Sequence, residues 1–131
     1  MTSTHLRFAS ETRPLVAVLC SVPLLGEAMG SVLEFADVRS FSAGGGDVAG
    51  LLGWLRPDAL IVDSAAGAEA AAAFAREHDL PVVHVSVRDR TLHLFRGGEW
   101  EQVSNREGPT PEAIRNIVAG ALFARGGLFD E

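Results

Sequence analysis

The stretch that decides the fold is residues 59–63, with the sequence ALIVD, in which four apolar residues are followed by a carboxylate. A short continuous apolar run of this kind predicts a strand buried on both faces, as strands of parallel sheets are. Similar runs lie upstream at Leu15–Cys20 and downstream at residues 81–87, and residues 38–41 are interpreted as a further strand. Because parallel strands need crossover connections, we expect helices between these runs.

Apolar residues between the strands recur at three- and four-residue spacing, which predicts helices. Pro23 suits the first turn of one helix, and Asp47 suits the N-cap of the next, which ends before Pro57. Residues 44–46, three glycines, are interpreted as a flexible turn, and the alanine-rich segment 64–78 is a further helix. The residues predicted to share a helix face are Leu25, Ala28, Met29, Val32, Leu33 and Ala36; then Val48, Leu51, Leu52 and Leu55; then Ala66, Ala70, Phe74 and Glu77.

The pattern changes after residue 87. Apolar and polar residues alternate over 91–103 around Gly97-Gly98, which predicts an antiparallel hairpin. Thr110 and Pro111 then open a last helix. The sequence therefore predicts an α/β fold, a three-layer sandwich with a parallel sheet extended by an antiparallel hairpin. We place one domain over residues 14–126, with tails at 1–13 and 127–131.

Composition limits the possible functions of the 131 residues. The net charge of −6 argues against binding to a phosphate backbone, and nucleic acid is not an expected partner. All 11 basic residues are arginine, so no lysine can form a Schiff base or clamp a phosphate. One cysteine forms neither an internal disulfide nor a multi-cysteine metal site. The longest apolar stretch, 15–25, is about half a membrane span, so we expect a cytoplasmic protein without membrane contact.

Polar or reactive side chains follow three of the predicted strands. Cys20 and Ser21 follow the first, Asp63 follows the third, and Ser86 lies at the end of the fourth. Ligands of open parallel sheets gather at the carboxyl ends of the strands. These four residues are therefore the candidate site, and no histidine pair at ligand spacing on one element adds a metal to it.

Residues 15–87 resemble the receiver domain of bacterial two-component response regulators. The resemblance rests on VAVLCSVPLLGEAMGSVLE at 16–34, RPDALIVD at 56–63 and PVVHVS at 81–86. It implies a flavodoxin-like or receiver-like fold, with Asp63 in the place of the phosphoacceptor and Ser86 in the place of the switch residue. It also implies that an acidic pair should stand at 20 and 21.

The chain departs from the receiver pattern where the chemistry would occur. Cys20 and Ser21 replace the acidic pair, although magnesium prefers carboxylate oxygens. The lysine that receivers carry after the fifth strand has no counterpart here. The resemblance thus implies a degenerate receiver, a pseudo-receiver, with no cofactor, no metal and no enzymatic activity. We expect a regulatory module that mediates protein–protein interaction or homodimerisation.

The expected interaction surface combines the hairpin with the last helix, residues 110–125. Receivers typically dimerise through the corresponding face, so the resemblance implies a homodimer. Any output would come from a partner chain or from a longer protein that includes this domain. The residues expected to form the surface are Leu94, Trp100, Ile114 and Val118.

Two other functions stay open. A small anion or nucleotide would bind in the crevice near Ser21, Asp63 and Ser86. A phosphocarrier or thiol enzyme would depend on Cys20, in a position similar to the phosphocysteine of sugar-phosphotransferase B domains. The bulky segment 21–25 is a poor anion cradle, however, and Cys20 also fits a buried apolar role. Asp63 in turn also fits a carboxylate that caps loop or helix amides.

Overall fold

A computed structural model of the chain describes residues 13–42, 47–86, 88–103 and 108–126. The glycine turn predicted at 44–46 and the tails predicted at 1–13 and 127–131 lie outside the described residues, except for Arg13. The Arg13 guanidinium donates hydrogen bonds to the carbonyl oxygens of Glu34 at 3.1 Å and Ala36 at 2.9 Å. Arg13 is therefore attached to the folded domain.

Six strands in the described part of the chain form one mixed sheet, in the order β2-β1-β3-β4-β5-β6. Neighbours among β1 to β4 pair in parallel, as the alternation of strands and helices predicts, whereas β5 and β6 are antiparallel. The hairpin turns at Gly97 and Gly98, which take the positive φ values of 65° and 85° that glycine permits. The strands are β1 Leu15–Cys20, β2 Asp37–Ser42, β3 Ala59–Val62, β4 Val82–Ser86, β5 Thr91–Arg96 and β6 Glu99–Val103.

Four described helices cover both faces of this sheet, which confirms the predicted α/β class. Predicted caps are present: Asp47 accepts from the Gly50 amide at 3.0 Å, and Thr110 accepts from the Ala113 amide at 3.1 Å. In the described ranges, no helix has the length and apolar character needed to cross a membrane. The helices are α1 Pro23–Val32, α2 Val48–Leu55, α3 Ala65–His78 and α4 Pro111–Gly126.

Two apolar clusters, one on each face of the sheet, form the core. Helices α1 and α4 pack on one face, where Met29 and Ile114 are almost completely buried. Helices α2 and α3 pack on the other face through Leu52 and a row of small residues. The predicted face of α3 is wrong at Ala66, which is exposed, because an alanine-rich helix has little contrast between its faces. The buried residues of α3 are Gly67, Ala68, Ala71, Ala72, Phe74 and Ala75.

Three residues of the expected interaction surface belong instead to the core. Leu94 is 6% exposed, and Ile114 and Val118 are each 1% exposed. Their side chains lie between the sheet and the helix layer that contains α4, so they are not available to a partner. Trp100, the fourth expected residue, remains 38% exposed.

Two glycines of α1 make a matched pair for testing how closely this helix packs. A Cβ on Gly26 would lie 2.8 Å from the Ser40 Cβ of β2, whereas a Cβ on Gly30 would meet open space. We expect Gly26→Ala to lower the free energy of unfolding by about 1–3 kcal/mol through overpacking. Gly30→Ala should raise it by about 0.4–1 kcal/mol, because alanine restricts the unfolded chain.

Urea denaturation of the two variants measures the difference. Equal effects of the two substitutions would contradict the close approach of α1 to β2.

Candidate functional site

The carboxyl ends of β1 and β3 place Cys20, Ser21 and Asp63 at one edge of the sheet. Leu19 pairs with Val62, so the residues that follow each strand emerge side by side. Ser86 ends β4 at the same edge, two residues after His84, which pairs with Val62. The structure therefore brings Cys20, Ser21 and Asp63 together, as the strand pattern predicts.

Asp63 binds the loop that connects β1 to α1. Its carboxylate accepts hydrogen bonds from the Ser21 amide at 2.9 and 3.0 Å and from the Ser21 hydroxyl at 3.1 Å. The Val22 amide donates a longer bond of 3.4 Å. Val22 is the N-cap residue of α1, and its own side chain cannot cap the helix. Asp63 therefore supplies negative charge at the N-terminus of α1, where the helix dipole favours an anion.

Cys20 is a buried thiol beside this carboxylate. Its side chain is 7% exposed, and Sγ donates a weak hydrogen bond to the Phe41 carbonyl oxygen at 3.8 Å. Burial raises the pKa of the Cys20 thiol, and the charge of Asp63 acts in the same direction, against a backbone hydrogen bond from Gly26. Since the nucleophile is the thiolate, these surroundings disfavour a reactive cysteine at neutral pH.

Ser86 is engaged in the turn that follows β4. Its hydroxyl donates to the Asp89 carboxylate at 3.2 Å and accepts from the Asp89 amide at 3.4 Å. No hydrogen bond in the described part of the chain joins Ser86 to Asp63. Asp63 and Ser86, which the receiver resemblance assigns to one site, therefore make their hydrogen bonds in two different loops.

A cleft of about 410 Å³ opens between α1 and β2, beside Cys20. Its lining includes the hydroxyl-bearing side chains of Ser21, Ser40 and Ser42 and the carboxylate-bearing Glu27. Asp63 and Ser86 do not line it. This cleft therefore differs from the crevice predicted near Ser21, Asp63 and Ser86 and lies nearer to β2.

One cluster was not foreseen from the sequence. His84 and His93 are cross-strand partners on β4 and β5, with ring centroids 6.1 Å apart, and Trp100 lies edge-on to His84 at 6.1 Å. Burial lowers the pKa of His84, and the neighbouring His93 acts in the same direction. Pairing β4 with β5 outward from Ser86 and Thr91 would have identified the contact, which a search within single elements misses. Within the described ranges, no three histidine, cysteine, aspartate or glutamate residues form a group that could hold a metal ion.

Comparison of the chain with protein-family models, with curated proteins and with solved structures finds no match in any of the three. The relationship to receiver domains therefore stays a prediction that rests on residues 15–87.

Cys20 provides a direct test of the thiol alternative. We expect a disulfide reagent such as Ellman's reagent to modify the native thiol at least about tenfold more slowly than the unfolded one at pH 7.5, because burial protects it and raises its pKa. Absorbance in the presence and absence of urea gives the two rates. Equal rates would show that Cys20 is accessible and would support the alternative function as a thiol enzyme.

Asp63 is expected to stabilise the fold. Asp63→Ala removes the carboxylate that binds the Ser21 and Val22 amides and should lower the free energy of unfolding by about 1–2 kcal/mol. Ser21→Ala removes only the hydroxyl bond and should have a smaller effect. Urea denaturation compares the two, and an unchanged midpoint for Asp63→Ala would contradict the capping role.

Proposed function

We propose that this chain is a non-catalytic, receiver-like regulatory module that acts by binding protein, either a second copy or another chain. The strand order supports the receiver-like part of the proposal. The order β2-β1-β3-β4-β5 is that of flavodoxin-like sheets, and β1 to β4 are parallel as in that topology. The antiparallel hairpin of β5 and β6 is the main departure.

The position of the Asp63 carboxylate is the observation that carries the non-catalytic part. Both of its oxygens accept hydrogen bonds from the amides of the loop before α1. A phosphoryl acceptor has to present an oxygen to an incoming donor. At Asp63 that oxygen would first have to leave the loop and helix terminus that it stabilises.

The neighbours of Asp63 offer little help to phosphoryl transfer. Cys20 is a buried thiol, and the Ser21 hydroxyl donates to Asp63 itself. Magnesium is a hard cation that prefers carboxylate oxygens, and phosphoryl transfer depends on positive charge around the transferred group. The sequence contains no lysine to provide such a charge.

Exposed apolar side chains support the protein-binding part of the proposal. Leu24 is 68% exposed, Trp54 is 80% exposed and Phe123 is 61% exposed. Leu24 and Phe123 are on the helices of one sheet face and Trp54 is on a helix of the other, so they are separate candidate contacts. These residues replace the buried Leu94, Ile114 and Val118 as candidate contacts.

A phosphoryl donor tests the proposal. We expect acetyl phosphate with millimolar magnesium to leave the intact mass of the protein unchanged, and beryllofluoride with magnesium to leave its NMR spectrum unchanged. Asp63→Asn serves as the control. A mass increase of one phosphoryl group that is lost in Asp63→Asn would overturn the proposal.

The cleft between α1 and β2 favours one second candidate, a binding site for a small polar ligand. Its serine hydroxyls and its carboxylate could form hydrogen bonds with such a molecule. Spectral shifts confined to residues around Ser40 and Ser42 on addition of a small polar compound would support this function.

A further inference from the structure

Two histidines lie opposite each other where the antiparallel hairpin joins the parallel strands. His84 of β4 pairs with His93 of β5, and their ring centroids are 6.1 Å apart. The neighbouring pair on the same side of the sheet, Val82 and Phe95, belongs to the apolar cluster that includes α3. Both histidines are half-buried, and Trp100 lies edge-on to His84. The pair therefore lies at the margin of an apolar cluster, where a positive charge is poorly solvated.

The packing around His93 has no place for a second ring proton. Its Nδ1 atom is buried and has no hydrogen-bond partner among the described residues. A neutral imidazole can carry its single proton on Nε2 and leave Nδ1 as an unused acceptor. A protonated imidazole carries hydrogen on both nitrogens, so Nδ1–H would become a buried donor without an acceptor. Leaving a buried donor unpaired costs free energy, and the folded packing therefore opposes protonation of this ring.

His84 resists protonation for two reasons of its own. Burial lowers its pKa, and the neighbouring His93 acts in the same direction. The carboxylate of Asp63, at the end of β3, raises the pKa of His84 but does not cancel the other two effects. The two rings thus share surroundings that favour the uncharged pair.

Few other charges face the pair from the elements around it. On α3, the Arg76 guanidinium lies 5.3 Å from the centroid of the Phe95 ring and opposes a further positive charge. Glu69 is on the same side of α3, two turns toward the helix N-terminus, and is exposed. Asp89, in the turn after β4, is exposed and has an arginine on each side. On β6, the ladder partner of His93 is the uncharged Gln102.

We propose that the His84–His93 pair makes the attachment of the β5–β6 hairpin sensitive to pH, so that protonation of the two rings loosens β5 from β4. Two positive charges directly opposite each other on neighbouring strands destabilise a sheet. Separation of the strands removes this repulsion and transfers both rings to water. In the sheet the hairpin is attached through this one ladder, so weakening the ladder affects the whole hairpin.

The direction of the effect follows from the lowered pKa of His84. Above its ordinary value of 6.5 the ring is neutral whether it is packed or released, and the contact has its full strength. Below that pH, the released ring takes up a proton that the packed ring resists. The stabilising contribution of the contact is therefore lost as the pH falls below 6.5.

Glutamine variants of the two histidines test the proposal. Between pH 7 and pH 5, the equilibrium constant for unfolding should rise about tenfold more in wild type than in His84→Gln or His93→Gln, because neither variant can form a doubly charged pair. Urea denaturation at the two pH values gives these constants, and the carboxylates of the chain contribute alike to all of them. His78→Gln, on α3, is the control and should keep the wild-type pH dependence. Equal pH dependence in wild type and in both variants of the pair would overturn the proposal.

The two tryptophans give a second readout in proteins that retain both histidines. Trp54→Phe leaves Trp100 of the hairpin as the sole tryptophan, and Trp100→Phe leaves Trp54 of α2, which is already 80% exposed. Without denaturant, the emission of Trp100 should shift to the red from pH 7 to pH 5, because the loosened hairpin exposes a side chain that is now 38% exposed. The emission of Trp54 should stay constant. A Trp100 emission that does not change, or that changes only together with the helical circular dichroism, would contradict a loosening of the hairpin.

Discussion

The structure depends on two carboxylates at the ends of β3 that hold β1 in place. Asp63 binds the Ser21 amide where β1 ends, and Asp58 accepts from the Leu15 amide at 2.8 Å where β1 begins. The Asp58 amide also donates to the Leu15 carbonyl oxygen at 2.7 Å. Since β1 pairs with both β2 and β3, fixing its two ends sets the register of the sheet around it.

This use of Asp63 connects stability with function. The N-terminus of α1 points toward the strand edge where ligands of parallel sheets gather, and helix termini attract anions. In this chain the attraction is satisfied by a side chain of the protein itself. The remaining features that suit recognition are the cleft between α1 and β2, which includes Ser21 of this loop, and the exposed Trp54 side chain of α2.

Much of the fold could be predicted from the sequence because its signals are local. Continuous apolar runs identified three of the four parallel strands, and Asp47, Thr110 and the glycine pair at 97–98 identified two helix starts and the hairpin turn. The site was harder to predict. That Asp63 and Cys20 lie close follows from strand order, but the partners of the Asp63 oxygens depend on the exact path of the loop before α1.

The expected interaction surface was wrong for a different reason. Apolar residues at helical spacing, such as Ile114 and Val118, fit a core and an interface equally well, and only the packing of α4 on the sheet decides between them. The exposure of Trp54 could not be predicted either. Almost all residues of α2 are apolar, so its sequence does not show which side of the helix faces the sheet.

The outer edge of β6 has a consequence for the behaviour of the protein at high concentration. Glu99 and Glu101 are exposed on this edge strand, and the Arg96 guanidinium lies 3.3 Å from the Glu101 carboxylate. The backbone N–H and C=O groups on the outer edge of a sheet can pair with a strand of another molecule, as in amyloid fibrils. Two such edges brought together in antiparallel register would place carboxylates close to carboxylates. The repulsion between these carboxylates disfavours addition of a second copy at this end of the sheet.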